Sequence, residues 1–234
     1  MQFDIHTHTI ASGHGTSCTI ADMAKAAAAN GLSLIGISDH GPATMAAGTP
    51  SYFRSLLMAP HDRCGVRVLY GVELNILDNN GTVDLEDDIL SRLDYAIASM
   101  HTQNKKPGTR EENTQAYLAV MKHPKVKVIG HCDDVKYPVD YRKLVAGAKE
   151  HHVLLELNEA SLTPDGYRGD TRANNKEMLH WCRHYNQPVI LSSDSHGPAH
   201  IGQFPYSLAL LEEVGFPQEL VLNYRLAKLM AFLV

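Results

Sequence analysis

Short apolar runs alternate with longer stretches whose apolar positions recur at helical spacing, from one end of the chain to the other. Phe3-Asp4-Ile5 reads as a first strand with His6 at its end. Thr19 suits an N-cap, and Ile20 to Asn30 predicts an alanine-rich helix closed by Gly31 at the C′ position. Leu34 to Ser38 predicts a second strand ending at Asp39-His40, and Pro50 to Met58 a helix. Arg67 to Leu74 predicts the third strand, with Glu73 inside it. Asp78-Asn79-Asn80-Gly81 is a turn signal closing a small hairpin before a helix over Glu86 to Arg92. Further strands are expected at Ala96–Met100, Val126–Ile129, Leu154–Leu157 and Val189–Ser192. Helices are expected over Asn113–Lys122, Asp140–His151 and Asn174–Tyr185, and two helical stretches finish the chain.

Strand followed by helix, with nearly continuous apolar strands, implies a parallel sheet covered by helices. The chain has 234 residues and 44% hydrophobic content, enough for one sizeable core. No repeat, low-complexity tract or linker marks a boundary, so residues 1–234 are expected to form one α/β domain. The net charge of −5 and scattered lysines and arginines make a long nucleic-acid partner an unfavoured expectation. MQFDIHTHTI has neither the charged start nor the apolar stretch of a signal peptide, and no run of about 18 apolar residues suggests a membrane span. Cys18, Cys64, Cys132 and Cys182 are widely spaced, without a CxxC pair, which fits reduced thiols and a cytoplasmic location.

Histidine changes this picture, because the chain has 14 of them and no terminal tag. His6, His8, His40, Glu73, His101, His131, Asp194 and His196 each fall at or just past the C-terminal end of an expected strand. In a parallel barrel those ends share one face, where active sites are built. His123, His151, His152, His180 and His184 fall instead on expected helices and read as surface residues. In extended chain, residues two apart point the same way, so His6/His8 and Asp194/His196 each present a pair of donors. Imidazole with carboxylate suits Zn, Mn or Fe, and nine candidates, His14 included, exceed the needs of one ion. A cluster of ions stabilises both the attacking and the leaving oxygen of a phosphoryl displacement.

HTHTIASGH, GISDHGP, GVELN, ASMH, IGH and SSDSH, in that order, resemble the PHP (polymerase and histidinol phosphatase) superfamily, nearest its YcdX-type phosphatases. The resemblance implies a distorted (β/α)7 barrel and a trinuclear site. On it, His6, His8, Glu73 and Asp194 hold a first ion, Glu73 bridges to a second with His101 and His131, and His14, His40 and His196 hold the third. Where such proteins often carry His-Pro, this chain has His131-Cys132-Asp133-Asp134, which bears on the substrate pocket more than on the metals. The expected activity is hydrolysis of a small phosphomonoester by a metal-bridging hydroxide, with two to three divalent ions, zinc first among them. His101 and Asp194 are the ligands whose loss is expected to stop it. Arg168, flanked by Gly166 and Gly169, is the first choice for additional positive charge on phosphate, before Lys105, Lys106, Arg110 and Lys136. His200 is a minor candidate for substrate contact. The alternatives are a nucleotide or nucleic-acid phosphodiesterase or exonuclease, a histidinol phosphate phosphatase, and a non-catalytic metal-binding module.

Overall fold

The computed structural model describes residues 1–233. The strands are β1 (Phe3–Asp4), β2 (Leu34–Ile37), β3 (Asp62–Arg63), β4 (Val66–Asn75), β5 (Tyr95–Ser99), β6 (Val126–Ile129), β7 (Leu154–Asn158) and β8 (Val189–Ser192). Seven of them lie parallel in the order β1-β2-β4-β5-β6-β7-β8, and β3 folds back antiparallel on β4. The helices are α1 (Ile20–Ala29), α2 (Pro50–Leu56), α3 (Asp87–Leu90), α4 (Arg110–Val120), α5 (Tyr141–Glu150), α6 (Glu159–Leu162), α7 (Arg172–Tyr185), α8 (Pro205–Glu213) and α9 (Leu226–Leu233). Sheet and helices make the expected α/β barrel, distorted and nearly closed.

The seam lies between β1 and β8, where a strand of two residues cannot supply a ladder. Near the carboxyl ends, Thr7 bridges Ser195 and the His8 N–H donates to the Ser195 carbonyl at 2.9 Å. Lower down, the Asn223 carboxamide stands in for a strand. Its Oδ1 accepts the Leu191 N–H at 2.8 Å, and its Nδ2 donates to the carbonyls of Leu191 and Phe3 at 2.8 and 3.2 Å. One side chain thus satisfies strand groups that would otherwise be buried without partners.

Two apolar layers result from the two faces of the sheet. Inside the barrel lie Phe3, Ile5, Leu34, Leu69, Ile97 and Val128, sealed at the amino-terminal end by Leu229 and Leu233 of α9. Tyr95 crosses this interior to donate to the Ile5 carbonyl at 2.5 Å. A Cβ on Gly36 would stand 2.2 Å from its hydroxyl and one on Gly71 2.7 Å from its ring, so neither position has room for a side chain. Above this layer β4 turns polar at Glu73 and Asn75, and β7 at Glu156 and Asn158, all fully buried. The apolar plug ends where the site begins.

Element bounds differ from the sequence reading where caps act. α4 starts at Arg110 rather than Asn113, because Thr109 and Glu112 form a reciprocal capping box. β3 and α6 leave no trace in the hydrophobic pattern, β3 being two polar residues. Gly31 has the left-handed φ of 73° that its C′ position requires, and the Asp78–Gly81 turn closes an Ile76–Val83 bridge. Among the described residues the four cysteines are free, and no helix is long and apolar enough to cross a membrane.

Candidate metal centre

The strands deliver their terminal side chains to one mouth, as parallel topology demands. Glu73 of β4 is the hub. Its Oε1 lies 2.8 Å from His131 Nε2, 3.3 Å from His101 Nε2 and 3.5 Å from His6 Nε2. Its Oε2 lies 2.6 Å from His40 Nδ1 and 3.7 Å from His8 Nε2. Asp194 Oδ1 faces His8 Nε2 at 3.1 Å and His6 Nε2 at 3.6 Å. The His196 ring stacks on His8 with centroids 4.1 Å apart. His14 stands exposed at the rim, its ring 5.0 Å from that of His40 and 4.9 Å from that of His196.

Several imidazoles are aimed by what holds their other nitrogen. His6 Nδ1 donates to Glu156 Oε1 at 2.6 Å, and His8 Nδ1 to Ser12 Oγ at 2.9 Å, Ser12 itself donating to Asp39 at 2.7 Å. His101 Nδ1 donates to Asn75 Oδ1 at 2.7 Å, and His196 Nδ1 to the Asp194 carbonyl at 3.2 Å. The Nε2 atoms of all four are then left turned inward, buried and without a hydrogen-bond partner. Glu73 Oε2 and His40 Nδ1, 2.6 Å apart but not aligned for a hydrogen bond, are likewise buried and unpartnered, as is His131 Nδ1, on the far side of the ring from the Nε2 that meets Glu73. Buried polar atoms are nearly always paired, so a cluster of orphans facing one another is the signature of a site built for cations.

Charge follows the same geometry. Burial opposes ionisation of Glu73, but the imidazoles of His101, His40 and His6 hold it well below the usual carboxylate range. Burial likewise opposes a charged Asp194, and His6 and Arg168 outweigh it and keep the group ionised. Burial lowers His8 strongly, with His196 and His40 reinforcing it, and burial also lowers His131, His196 and His14. His6 moves the other way, raised against burial by Glu156, Asp194 and Glu73, as His40 is by Glu73. Ionised carboxylates beside mostly neutral imidazoles are the protonation states that metal ligation uses.

Three donor triads lie close enough to share an ion: His6/His8/Asp194, His40/Glu73/His101 and His8/His40/His196. Eight of the nine residues singled out in the sequence therefore meet at Glu73 and Asp194 or in these triads, with His14 at their edge. Two carry left-handed backbone, His131 with φ 27° and Asp194 with φ 55°. Non-glycine residues there cost about 1–3 kcal/mol, and such strain persists only where surroundings impose it. Glu156 Oε2 accepts the His131 N–H at 2.7 Å, while Arg168 Nη2 and Asn158 Nδ2 donate to Asp194 Oδ2 at 2.7 and 3.2 Å.

Arg168 is buried, its Nη1 donating to Asn158 and Ser161 and its Nε unpartnered. It lines the mouth, a cavity of about 380 Å³, together with His101, Lys136, Asp134 and Tyr167. Lys105, Lys106 and Arg110 do not line it. Cys132 faces the core with its Sγ 3.6 Å from Met178 Sδ, and Asp133 is enclosed by Ser161 and Asn175. The departure at residues 132–134 therefore reaches the pocket only through Asp134. Of the histidines expected on helices, His180 and His184 lie on α7, but His123, His151 and His152 lie in turns just past helix ends; none of the five lines the mouth, whereas His200 lines a neighbouring cavity.

Glu156 was legible but unread: a lone carboxylate inside the apolar run Leu154-Leu155-Glu156-Leu157 has no reason to be there without a partner. Asn75, two residues beyond Glu73 on the same strand face, carries the same kind of signal. In Glu156→Gln one of the donors now facing a carboxylate oxygen meets an NH₂ group instead. We expect metal affinity to fall by about 10- to 100-fold with the fold retained. Competitive chelator titration measures this, and an unchanged affinity would mean that Glu156 does not aim His6.

An α/β barrel whose mouth gathers histidines and carboxylates defines a class of candidate metal-site proteins, and comparison assigns the chain within it. The PHP domain family matches residues 4–225. The chain belongs to the PHP-domain family. Among its relatives, a "Probable phosphatase" of Acetivibrio thermocellus is 41% identical over 225 residues, covering 96% of this chain and 92% of that one. Another from Clostridium novyi is 38% identical over 230 residues, covering 98% and 93%. The fold is similar to that of a histidinol phosphate phosphatase from Lactococcus lactis solved with zinc, L-histidinol and phosphate. That likeness has a TM-score of 0.65 at 18% identity, over 92% of this chain and 94% of that one.

Proposed function

We propose that this chain is a metal-dependent phosphomonoesterase acting on a small substrate, with the nine mouth residues dividing three divalent cations among them. The observation that carries this reading is the set of buried, inward-facing nitrogen and oxygen atoms without partners around Glu73 and Asp194. His6, His8, Glu73 and Asp194 would hold one cation, Glu73, His101 and His131 a second, and His14, His40 and His196 a third. The His6/His8/Asp194 triad supports the first grouping, with Glu73 3.5 Å from His6 and 3.7 Å from His8. In the other two, His40 stands where His131 was expected and His8 where His14 was, so ring adjustment on loading is part of the proposal. Donors of this N/O type accept zinc, manganese or iron.

Bound divalent cations supply a water acidic enough to attack near neutral pH, and positive charge for the phosphoryl oxygens. The chain's own residues do the rest. Arg168 places a guanidinium at the mouth, fixed by Asp194, Asn158 and Ser161, so that negative charge on the phosphoryl oxygens meets a preorganised cation. Lys136 lines the same mouth with its Nζ on the Tyr167 carbonyl at 2.9 Å, able to turn toward a phosphate oxygen. Glu156, Ser12 and Asn75 keep imidazole lone pairs inward throughout.

The relatives named as probable phosphatases agree with this reading. The assay that tests it compares an aryl phosphomonoester with the matching diester and with single-stranded DNA. Turnover of the monoester is expected to exceed that of either by at least about 100-fold, close to 3 kcal/mol. Faster cleavage of the diester or of DNA would make the protein a phosphodiesterase, and metal uptake without any turnover would make it a binding module.

A further inference from the structure

A second cavity, of about 610 Å³, opens beside the mouth and shares Asp194, His196 and Ala160 with it. Its volume lies in the range of small-molecule sites. The two cavities differ in charge. Arg168 and Lys136 line the first, paired there with Asp194 at 2.7 Å and Asp134 at 3.5 Å, whereas among the described residues neither lysine nor arginine lines the second. The carboxylates that reach the second are Asp194 and Glu159, and both are committed. Asp194 Oδ2 takes Arg168 and Asn158, and its Oδ1 faces His8. Glu159 Oε1 accepts the Tyr206 N–H at 2.8 Å, and its Oε2 accepts the Ser207 N–H and hydroxyl at 2.8 and 2.6 Å, so that it caps α8.

The rest of the wall carries no Asp, Glu, Lys or Arg. Ala160, Pro198 and Ala199 give apolar surface, and His200, Gln203 and Tyr206 add flat or polar groups without formal anions. Tyr206 is 41% exposed, and its ring has no ring partner among the described residues. A cation entering here would give up water without gaining a free anion, and an anion would meet no lysine or arginine. A neutral ring pays neither penalty and can lie against Tyr206.

We propose that this cavity receives the leaving group of the phosphoester, and that the leaving group is an uncharged, ring-bearing alcohol or phenol rather than an amino alcohol. The proposal rests on the phosphomonoesterase reading above. It places phosphate at the metal-binding mouth beside Arg168 and directs the ester oxygen past His196 into the second cavity.

A matched pair tests it on the metal-loaded enzyme. 4-Ethylphenyl phosphate and tyramine phosphate share the aryl ester and differ by one ammonium, charged at about pH 7.5. The neutral ester is expected to show a kcat/KM at least about tenfold higher. Gln203→Glu, which puts a free carboxylate on the cavity wall, should shrink that ratio about fivefold or more. Tyr206→Ala should raise KM for the neutral ester by roughly fivefold. Equal turnover of the two esters, a preference for the ammonium, or a ratio indifferent to Gln203→Glu overturns the proposal. Failure to hydrolyse either ester defeats the phosphomonoesterase reading itself, an outcome plainly different from equal turnover.

Discussion

Asp194→Asn should lower kcat/KM on an aryl phosphate by at least about 10³-fold, equivalent to roughly 4 kcal/mol of transition-state stabilisation. The substitution removes the charge that faces His6 and His8 and at the same time strips Arg168 of its carboxylate partner. Breaking a buried pair from one side costs about 3–5 kcal/mol, so part of the loss would come through the fold. His101→Ala separates the two effects. Its side chain is 16% exposed and its imidazole reaches Glu73 Oε1 at 3.3 Å, so the donor is lost where the packing cost is smaller. A similar loss of activity in both variants, with the His101→Ala melting temperature close to that of the parent, is the expected pattern. Parent-like turnover in either variant would remove that residue from the machinery.

The second large effect is on metal binding and pH. In the metal-free protein, burial opposes a charged His6, yet Glu156, Asp194 and Glu73 raise its pKa well above the usual 6.5, and Glu73 raises that of His40. A raised folded-state pKa means these protons stabilise the metal-free fold fully below 6.5, an effect lost as pH climbs through the folded values. A cation must displace the same protons. Metal affinity is therefore weak at low pH and rises across the window above 6.5, by up to about tenfold per pH unit for each proton released. Thermal stabilisation by added Zn²⁺ should grow from pH 6 toward pH 8.5, reaching about 2.7 kcal/mol once free metal is 100 times Kd. Calorimetry in buffers of different ionisation enthalpy counts the released protons. Stabilisation independent of pH would place the binding elsewhere.

Much of this architecture could be read from sequence because two periodicities coincide. Apolar strand cores end in His6, His40, Glu73, His101, His131 and Asp194, and a parallel barrel turns that one-dimensional position into a shared mouth. The hidden parts depend on contacts made across the chain. Asn223 closes the seam from a position with no strand character, and Glu159 caps a helix that begins 46 residues later, at Pro205. Arg168 could be placed at the mouth by its loop, but its pairing with Asp194, 26 residues away, required the fold. Glu156 lay between. Its burial was implied by its apolar neighbours, while its partner His6, 150 residues distant, was not. The left-handed backbone at His131 and Asp194 likewise has no marker in residue type, since neither is glycine.

The orphaned donors around Glu73 and Asp194 are expected to bind cations. Anomalous diffraction from crystals of the metal-loaded protein, recorded on either side of the absorption edge of the bound metal, tests this most directly. Strong anomalous peaks enclosed by His6, His8, His40, Glu73, His101, His131 and Asp194 are expected. Density there without anomalous signal, or metal found only at surface histidines such as His180 and His184, would contradict it.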